Sequence, residues 1–374
     1  MGSLVVPAQG AQGWRSSVLP VSLTSQIEWA GSPFMRFAQR SIPNPGAVTA
    51  VHDGIRKHAL RTKSSHTGKR PDWGLIGTAI DFRLRLAFTT DDLVPVSARR
   101  GHAALTRNHP EAAALLGELT AAIASLLAEA PPQLADRIEL PESIENDLLR
   151  LCVVAGQLDQ LYRSYLHVID KTPLLDGGRA VTFDQARAQV PWFVIDQLHD
   201  QVCLANTGLG ELRARASAAR SGMSFSGSDA IGGADADLLV DGLLLDFKST
   251  HAATTITKSD VYQLAGYALL DFDDEHHIDH VGIYWTRHGI KRTFSLPGFF
   301  ELLGATETVP ELRAGLRAEL TAYNEQRQRA RDAARSAAEH REAADAEASR
   351  ESGEEIPVRR IHQTRRWLSR VFQR

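Results

Sequence analysis

The apolar positions along the chain follow two periods, and the change between them falls near residue 222. From Trp73 onward, Ile76, Ile80, Leu84 and Phe88 recur every four residues, which predicts a helix with one buried face. From Gly101 to about Arg220 the helical period persists in several long segments. Leu148, Leu151, Cys152, Ala155, Leu158 and Tyr162 mark one of them. Gly and Pro clusters at 131–132, 172–178 and 207–210 are the expected separators. Nearer the start, Ile27, Trp29, Phe34, Met35 and Phe37 predict a short helix over Thr24–Gln39, interrupted at Ser32-Pro33. Residues 1–20 read as a disordered or extended leader, and 52–70 as a basic loop or short helix.

Past residue 222 the pattern alternates. Ala236–Val240 and Leu243–Phe247 are predicted strands flanking Asp241-Gly242, the signal of a two-residue type I′ hairpin. Ser259–Leu270 is a predicted helix with Ser259 as N-cap. Val281–Thr286 and Ile290–Leu296 flank Arg287-His288-Gly289 as a second hairpin. Pro310 opens a helix with the stripe Leu312, Leu316, Leu320 and Tyr323. No Leu, Ile, Val, Met or aromatic residue then follows until Ile356, so that stretch is expected to be an exposed helical arm or frayed. The expected organisation is a leader with short helices (1–70), a first core helix (71–100), a helical lobe (101–222), an α/β core (223–300), a helical arm (301–355) and a basic amphipathic tail (356–374).

Composition narrows the classes. A chain of 374 residues can bury a substantial core as one large domain or two ordinary ones. The two cysteines, Cys152 and Cys203, make neither a disulfide framework nor a zinc cluster, which fits a reducing cytoplasm. No run of 18 apolar residues and no clean signal peptide is read, so no transmembrane segment is expected. Only seven lysines occur among 42 basic residues, a GC-rich bacterial codon bias. The net charge of −3 argues against indiscriminate coating of nucleic acid and leaves local basic patches as the route to phosphate.

The chemistry concentrates in Gly232-Gly-Ala-Asp235-Ala-Asp237-Leu-Leu-Val-Asp-Gly-Leu-Leu-Leu-Asp246-Phe-Lys248. A two-residue turn at Asp241-Gly242 places Asp237 opposite Asp246, and Asp235 opposite Lys248. One hairpin face is then wholly apolar: Ala236, Leu238, Val240, Leu243, Leu245 and Phe247. Opposed carboxylates repel, and a divalent cation held by oxygen ligands would neutralise them. Lys248, on the same face, is placed to hold a water or to stabilise a pentavalent phosphate. The flanking leucines are too apolar for the alternative, a solvated edge hairpin. His276, His277 and His280 beside Asp273, Asp274 and Glu275 read as a solvated loop, and Phe225–Asp229 as a plain turn.

An aspartate, a hairpin and then Asp246-Phe-Lys248 on the next strand resemble the PD-(D/E)XK nuclease superfamily. Gln263-Leu-Ala-Gly-Tyr267 is similar to the Q-x-x-x-Y helix of its RecB-like branch, and Ile283–Gly289 to the strand and turn that follow. The resemblance covers about 70 residues. It implies a mixed sheet flanked by helices, Mg²⁺ or Mn²⁺ as cofactor, and nucleic acid as substrate, DNA favoured over RNA. Asp237, Asp246 and the backbone carbonyl of Phe247 would hold the metal, Lys248 would position the attacking water, and Gln263 and Tyr267 would support the site. The G-x-x-D spacing of the branch instead favours Asp235 as the upstream ligand. Gly77-Thr-Ala-Ile-Asp81 is similar to its G-x-x-x-H helix, with Asp81 at the histidine position. Such domains serve phage defence, restriction and repair. A catalytically silent subunit that keeps the fold, binding nucleic acid or acting as a scaffold, is the rival reading.

Arg287, Lys291 and Arg292 on the second hairpin, and Arg365 and Arg366 in the tail, are the expected nucleic-acid contacts. Val358–Arg374 carries six arginines beside Ile361, Trp367, Leu368, Val371 and Phe372, a basic stripe alongside an apolar one at helical spacing. It suits nucleic acid, an anionic membrane, a protein partner, or docking on its own domain. Deleting residues 356–374 should weaken nucleic-acid binding and flatten its salt dependence while sparing the chemistry. Unchanged affinity and salt slope would assign the tail elsewhere.

Overall fold

Ser32 marks a boundary as expected, because its hydroxyl accepts the Met35 amide at 3.0 Å and Pro33 tolerates the first helical position. It separates α1 (Leu23–Glu28) from α2 (Pro33–Ser41), and α3 (Pro45–Asp53) follows. The computed structural model describes residues 22–53, 71–131, 134–251 and 256–352. The leader over 1–20, most of the basic stretch 52–70, and the tail 356–374 with Arg365 and Arg366 lie outside the described residues.

The expected first core helix is α4 (Trp73–Leu86), capped by Asp72 through the Leu75 amide at 3.0 Å. The lobe is helical as expected: α5 (Val96–Thr106), α6 (Leu115–Glu129), α7 (Glu142–Val168), α8 (Phe183–Ala188) and α9 (Trp192–Arg215). A small hairpin of β1 (Leu175–Asp176) and β2 (Arg179–Ala180) turns on Gly177 and Gly178, both at positive φ. The predicted break at 207–210 is absent. Gly208 and Gly210 lie inside α9, where a Cβ at Gly208 would stand 2.5 Å from the Tyr284 ring and one at Gly210 2.1 Å from the Asp136 carbonyl. These glycines allow close approach rather than ending the helix. By length and composition alone, Pro110–Glu129 is apolar enough to cross a membrane, a test that core helices also pass. Its Leu115, Leu119 and Ile123 are buried in the lobe core.

The chain then enters a five-stranded mixed sheet ordered β3 (Ala219–Ser224), β4 (Asp235–Val240), β5 (Leu243–Lys248), β6 (His280–Trp285), β7 (Ile290–Ser295). Strand β3 was not foreseen, since Ala-Arg-Ser-Gly-Met-Ser lacks an apolar alternation. A short helix, α10 (Ser228–Ile231), leads into β4 where a plain turn was expected. The β4–β5 register is the expected one, Val240↔Leu243, Leu239↔Leu244 and Leu238↔Leu245. Its turn has Asp241 at φ 45° and Gly242 at φ 85°, as a type I′ turn requires. Helix α11 (Lys258–Leu270) carries the chain over to β6, parallel to β5. Its cap is Thr257, in a capping box with Asp260, two residues before the expected Ser259. The second hairpin turns through Thr286–Gly289, one residue longer than predicted, because Thr286 leaves the strand to reach Gln201. Helix α12 (Leu296–Leu302) follows.

Helices cover both sheet faces. Leu238, Val240, Leu245, Phe247 and Tyr284 join α4, α7 and α9 in one core. Leu239, Leu244, Val281 and Ile283 are buried outside that cluster, on the face where α11 and α12 pack. Helix α13 (Val309–Ser352) starts with Leu312 and Leu316 buried. The chain divides at Glu319, and the second unit begins at Leu320. Its helix runs to Ser352 with exposed charges paired four residues apart, as Glu325–Arg329 at 3.2 Å, which suits the expected arm.

Arg83 of α4 is 1% exposed and donates twice to Glu145 of α7, at 2.6 Å each, and to the Ile138 carbonyl at 2.9 Å. Removing one partner strands a buried charge, so Arg83→Met should destabilise the fold by about 3–5 kcal/mol. Adding Glu145→Leu should recover most of the loss. Urea denaturation of the single and double variants checks this; equal losses would mean that the pair's charges are not what the site is built around.

Candidate functional site

Three elements deliver carboxylates to one region of the sheet. Asp246 sits on the central strand β5, alternating with Leu244 and so facing α11; it is 3% exposed. Asp237 comes from β4, and its Oδ2 accepts the Phe247 amide at 2.6 Å. The recorded β4–β5 ladder ends at Leu238↔Leu245, so the Asp237 carboxylate takes an amide that a further ladder partner would have claimed. Asp81 comes from α4, and both its oxygens face Arg85 one turn on, with Arg85 Nε at 2.7 Å from Oδ1. The same guanidinium reaches Asp237 Oδ1 at 2.7 Å.

Arg85 was not anticipated. It lay inside a pattern read only for its apolar face, and the one available signal was the Asp81–Arg85 spacing of four. Its room comes from β3: Gly222 lies between the pairs Ser221↔Leu238 and Met223↔Ala236, and a Cβ there would lie 3.1 Å from Arg85 Nη1, at a φ of 58° that disfavours any side chain.

Lys248 Nζ lies 2.8 Å from Asp246 Oδ2, 2.8 Å from Gln263 Oε1 and 3.5 Å from Asp260 Oδ1. Gln263 Nε2 in turn donates to the Tyr267 hydroxyl at 2.7 Å. Burial alone would lower the lysine, but Asp246 and Asp260 outweigh it and hold the ammonium above its ordinary value. Burial pushes Asp246 up to about 7, Asp237 adding to the rise and Lys248 opposing it. Burial likewise raises Asp81, against Arg85 and with help from Asp237 and Asp246. Burial raises Tyr267 well above its ordinary value, so it stays a neutral phenol.

Four buried or half-buried carboxylates, Asp81, Asp237, Asp246 and Asp260, thus face two cations, Arg85 and Lys248, a charge deficit that suits an oxygen-seeking divalent ion at Asp237 and Asp246. Asp81 is in the neighbourhood, as the sequence suggested, but Arg85 occupies it. Among the described residues, the place where three metal-ligating side chains converge within 4.8 Å lies elsewhere, between Glu139 and His199 and Cys203 of α9.

The remaining expectations fare differently. Asp235 does not meet Lys248, which is engaged by Asp246 and Gln263; its strand partner is Ser224 on β3, and it is exposed. Arg287 does not offer a surface contact. It is 1% exposed, donating to the Ser249 carbonyl at 3.2 Å and Gln197 Oε1 at 2.9 Å, with its guanidinium over Trp73. Burial lowers it to about 10. Lys291 and Arg292 are half-buried, Arg292 lying over Phe294. His276, His277 and His280 do not converge: His276 Nε2 lies 3.1 Å from the Ser224 carbonyl, and His280 lies against Asp279. A buttress also went unnoticed. Gln201 Oε1 of α9 accepts from Ser249 at 2.8 Å and from Thr286 at 2.6 Å, holding the end of β5 beside Lys248.

The raised Asp246 sets a pH dependence in metal-free protein. Below about pH 4 the acid is protonated in both folded and unfolded chains. As pH rises toward about 7, the unfolded chain gives up the proton that the folded chain retains, so stability falls and then levels off. Asp246→Asn should remove that decline and be the more stable protein at pH 8 in EDTA. Denaturation series at pH 4, 6 and 8 decide it; an unchanged slope in the variant would place the titration elsewhere.

No family model, no curated protein and no solved structure matches this chain.

Proposed function

We propose that the chain is a Mg²⁺- or Mn²⁺-dependent phosphodiesterase of the PD-(D/E)XK type acting on nucleic acid, with DNA favoured over RNA. The observation that carries this reading is the unbroken chain of polar contacts Asp246–Lys248–Gln263–Tyr267, which joins the Asp-x-Lys strand to the Q-x-x-x-Y helix across 15 positions of sequence. Chance matches to two short motifs have no reason to meet in space. The mixed sheet flanked by helices agrees with the same reading.

Asp237 and Asp246, with the Phe247 carbonyl, would hold the metal. When bound, the ion supplies polarisation of a phosphoryl oxygen and a more acidic water. Lys248 is kept cationic by Asp246 and Asp260, and its ammonium suits positioning of the attacking water and stabilisation of charge building on phosphorus. Gln263 fixes the lysine, and the neutral Tyr267 phenol fixes Gln263.

One observation favours the rival, a catalytically silent subunit of the same fold that binds nucleic acid or serves as a scaffold. Arg85 already bridges Asp81 and Asp237, supplying fixed positive charge where a metal would act.

Labelled single- and double-stranded DNA and RNA, incubated with the protein in Mg²⁺, Mn²⁺ or EDTA, separate the two. Cleavage should appear with metal and vanish in EDTA, and Asp246→Ala and Lys248→Ala should each lower it by about 10²-fold or more while the fold persists. Asp237→Asn should be as severe, and Asp235→Asn mild. Binding without cleavage in every metal would establish the silent reading. A dead Asp235→Asn beside a normal Asp237→Asn would reverse the ligand assignment.

A further inference from the structure

We propose that Glu139, His199 and Cys203 form a second metal site, for a zinc-type divalent transition ion, that clamps the 134–140 segment onto α9. One ligand atom from each of the three side chains lies within 4.8 Å of the others. Glu139 Oε1 stands 3.3 Å from His199 Nε2 and 3.5 Å from Cys203 Sγ. With zinc bonds of about 2.3 Å to sulfur and about 2.0–2.1 Å to nitrogen and oxygen, a tetrahedron has edges of roughly 3.4 Å for N···O and roughly 3.5 Å for S···O. The two edges at Glu139 therefore already have the lengths that such an ion requires.

The scaffold is also suited to holding an ion. His199 and Cys203 are four residues apart on the 24-residue helix α9, so they share one face. Asn206, on the next turn, accepts the Ile138 and Glu139 amides at 2.8 and 3.1 Å and donates to Glu139 Oε2 at 3.2 Å. That amide orients the carboxylate from behind, as outer partners of metal ligands do. The segment is held close to the helix at Gly210, where the Asp136 carbonyl leaves no space for a Cβ. A sulfur, nitrogen and oxygen donor set selects zinc-like ions, in contrast to the all-oxygen cluster at Asp237 and Asp246. Three protein ligands leave a fourth position for water or an added ligand.

A cysteine nucleophile activated by histidine fits less well. Cys203 Sγ does approach His199 Nδ1 at 3.6 Å, but Glu139 also lies against the sulfur instead of standing only behind the ring.

The probe is Co²⁺ added to full-length protein stripped with EDTA and desalted. The wild type should develop tetrahedral cobalt bands with a thiolate-to-cobalt charge-transfer band, all abolished by one equivalent of Zn²⁺. The other cysteine, Cys152, is 1% exposed in α7, so the charge-transfer band reports Cys203. Cys203→Ser should lose the band. His199→Gln should weaken Zn²⁺ binding by about 10- to 100-fold or more. Asp246→Ala should leave both signals intact, which separates this site from the proposed phosphodiesterase centre. Circular dichroism verifies folding; if Cys203→Ser does not fold, His199→Gln and Glu139→Gln carry the test. Absence of the charge-transfer band in the wild type, or undiminished Zn²⁺ affinity in the folded variants, overturns the proposal.

Discussion

The Arg85 guanidinium is the tie on which the site's arrangement rests. It belongs to α4, yet it binds Asp81 on its own helix and Asp237 on β4, and so fixes a helix to a sheet through buried charge. The arginine is 6% exposed, and a guanidinium so buried requires carboxylate partners of this kind. Gly222 completes the arrangement by withholding a side chain where the guanidinium lies. Two residues earlier on the same helix, Arg83 forms a separate buried pair with Glu145 on α7. Helix α4 is thereby anchored by charge both to the sheet and to the lobe.

Local stability is spent around Asp246. A carboxyl pushed up to about 7 on a central strand is poorly placed for folding and well placed for receiving positive charge. The surroundings hold it regardless, through the apolar core beneath β5 and the Lys248–Gln263–Tyr267 contacts above it. Helix α9 supports the end of β5 through Gln201, which accepts from Ser249 and Thr286, and holds Arg287 through Gln197. The same helix carries His199 and Cys203 toward the 134–140 segment, so one element bears on two clusters of chemistry.

The sequence by itself determined the features that depend on local rules. The type I′ turn at Asp241-Gly242 needs two positive φ angles, which Asp-Gly supplies, so the pairing of Leu238–Val240 with Leu243–Leu245 could be counted from the turn, whereas the ladder ends before Asp237 and Asp246. The helical lobe, the boundary at Ser32 and the exposed arm follow from periodicity and capping in the same way. Gln263 and Tyr267 share a helix face because they are four residues apart.

Tertiary structure decided what depends on distant atoms. Strand β3 has no apolar alternation and exists because β4 offers it an edge. Gly208 and Gly210 look like helix breakers, but neighbours that press against α9 give them their role. Arg287 looks like a solvent-facing turn residue and is instead drawn inside by Gln197, the Ser249 carbonyl and the face of Trp73. Arg85 reaches a carboxylate 152 positions away, and Glu139 meets His199 and Cys203 across some 60. Side-chain periodicity records which face is apolar, whereas the partner of a buried charge is set by packing between elements far apart in the chain.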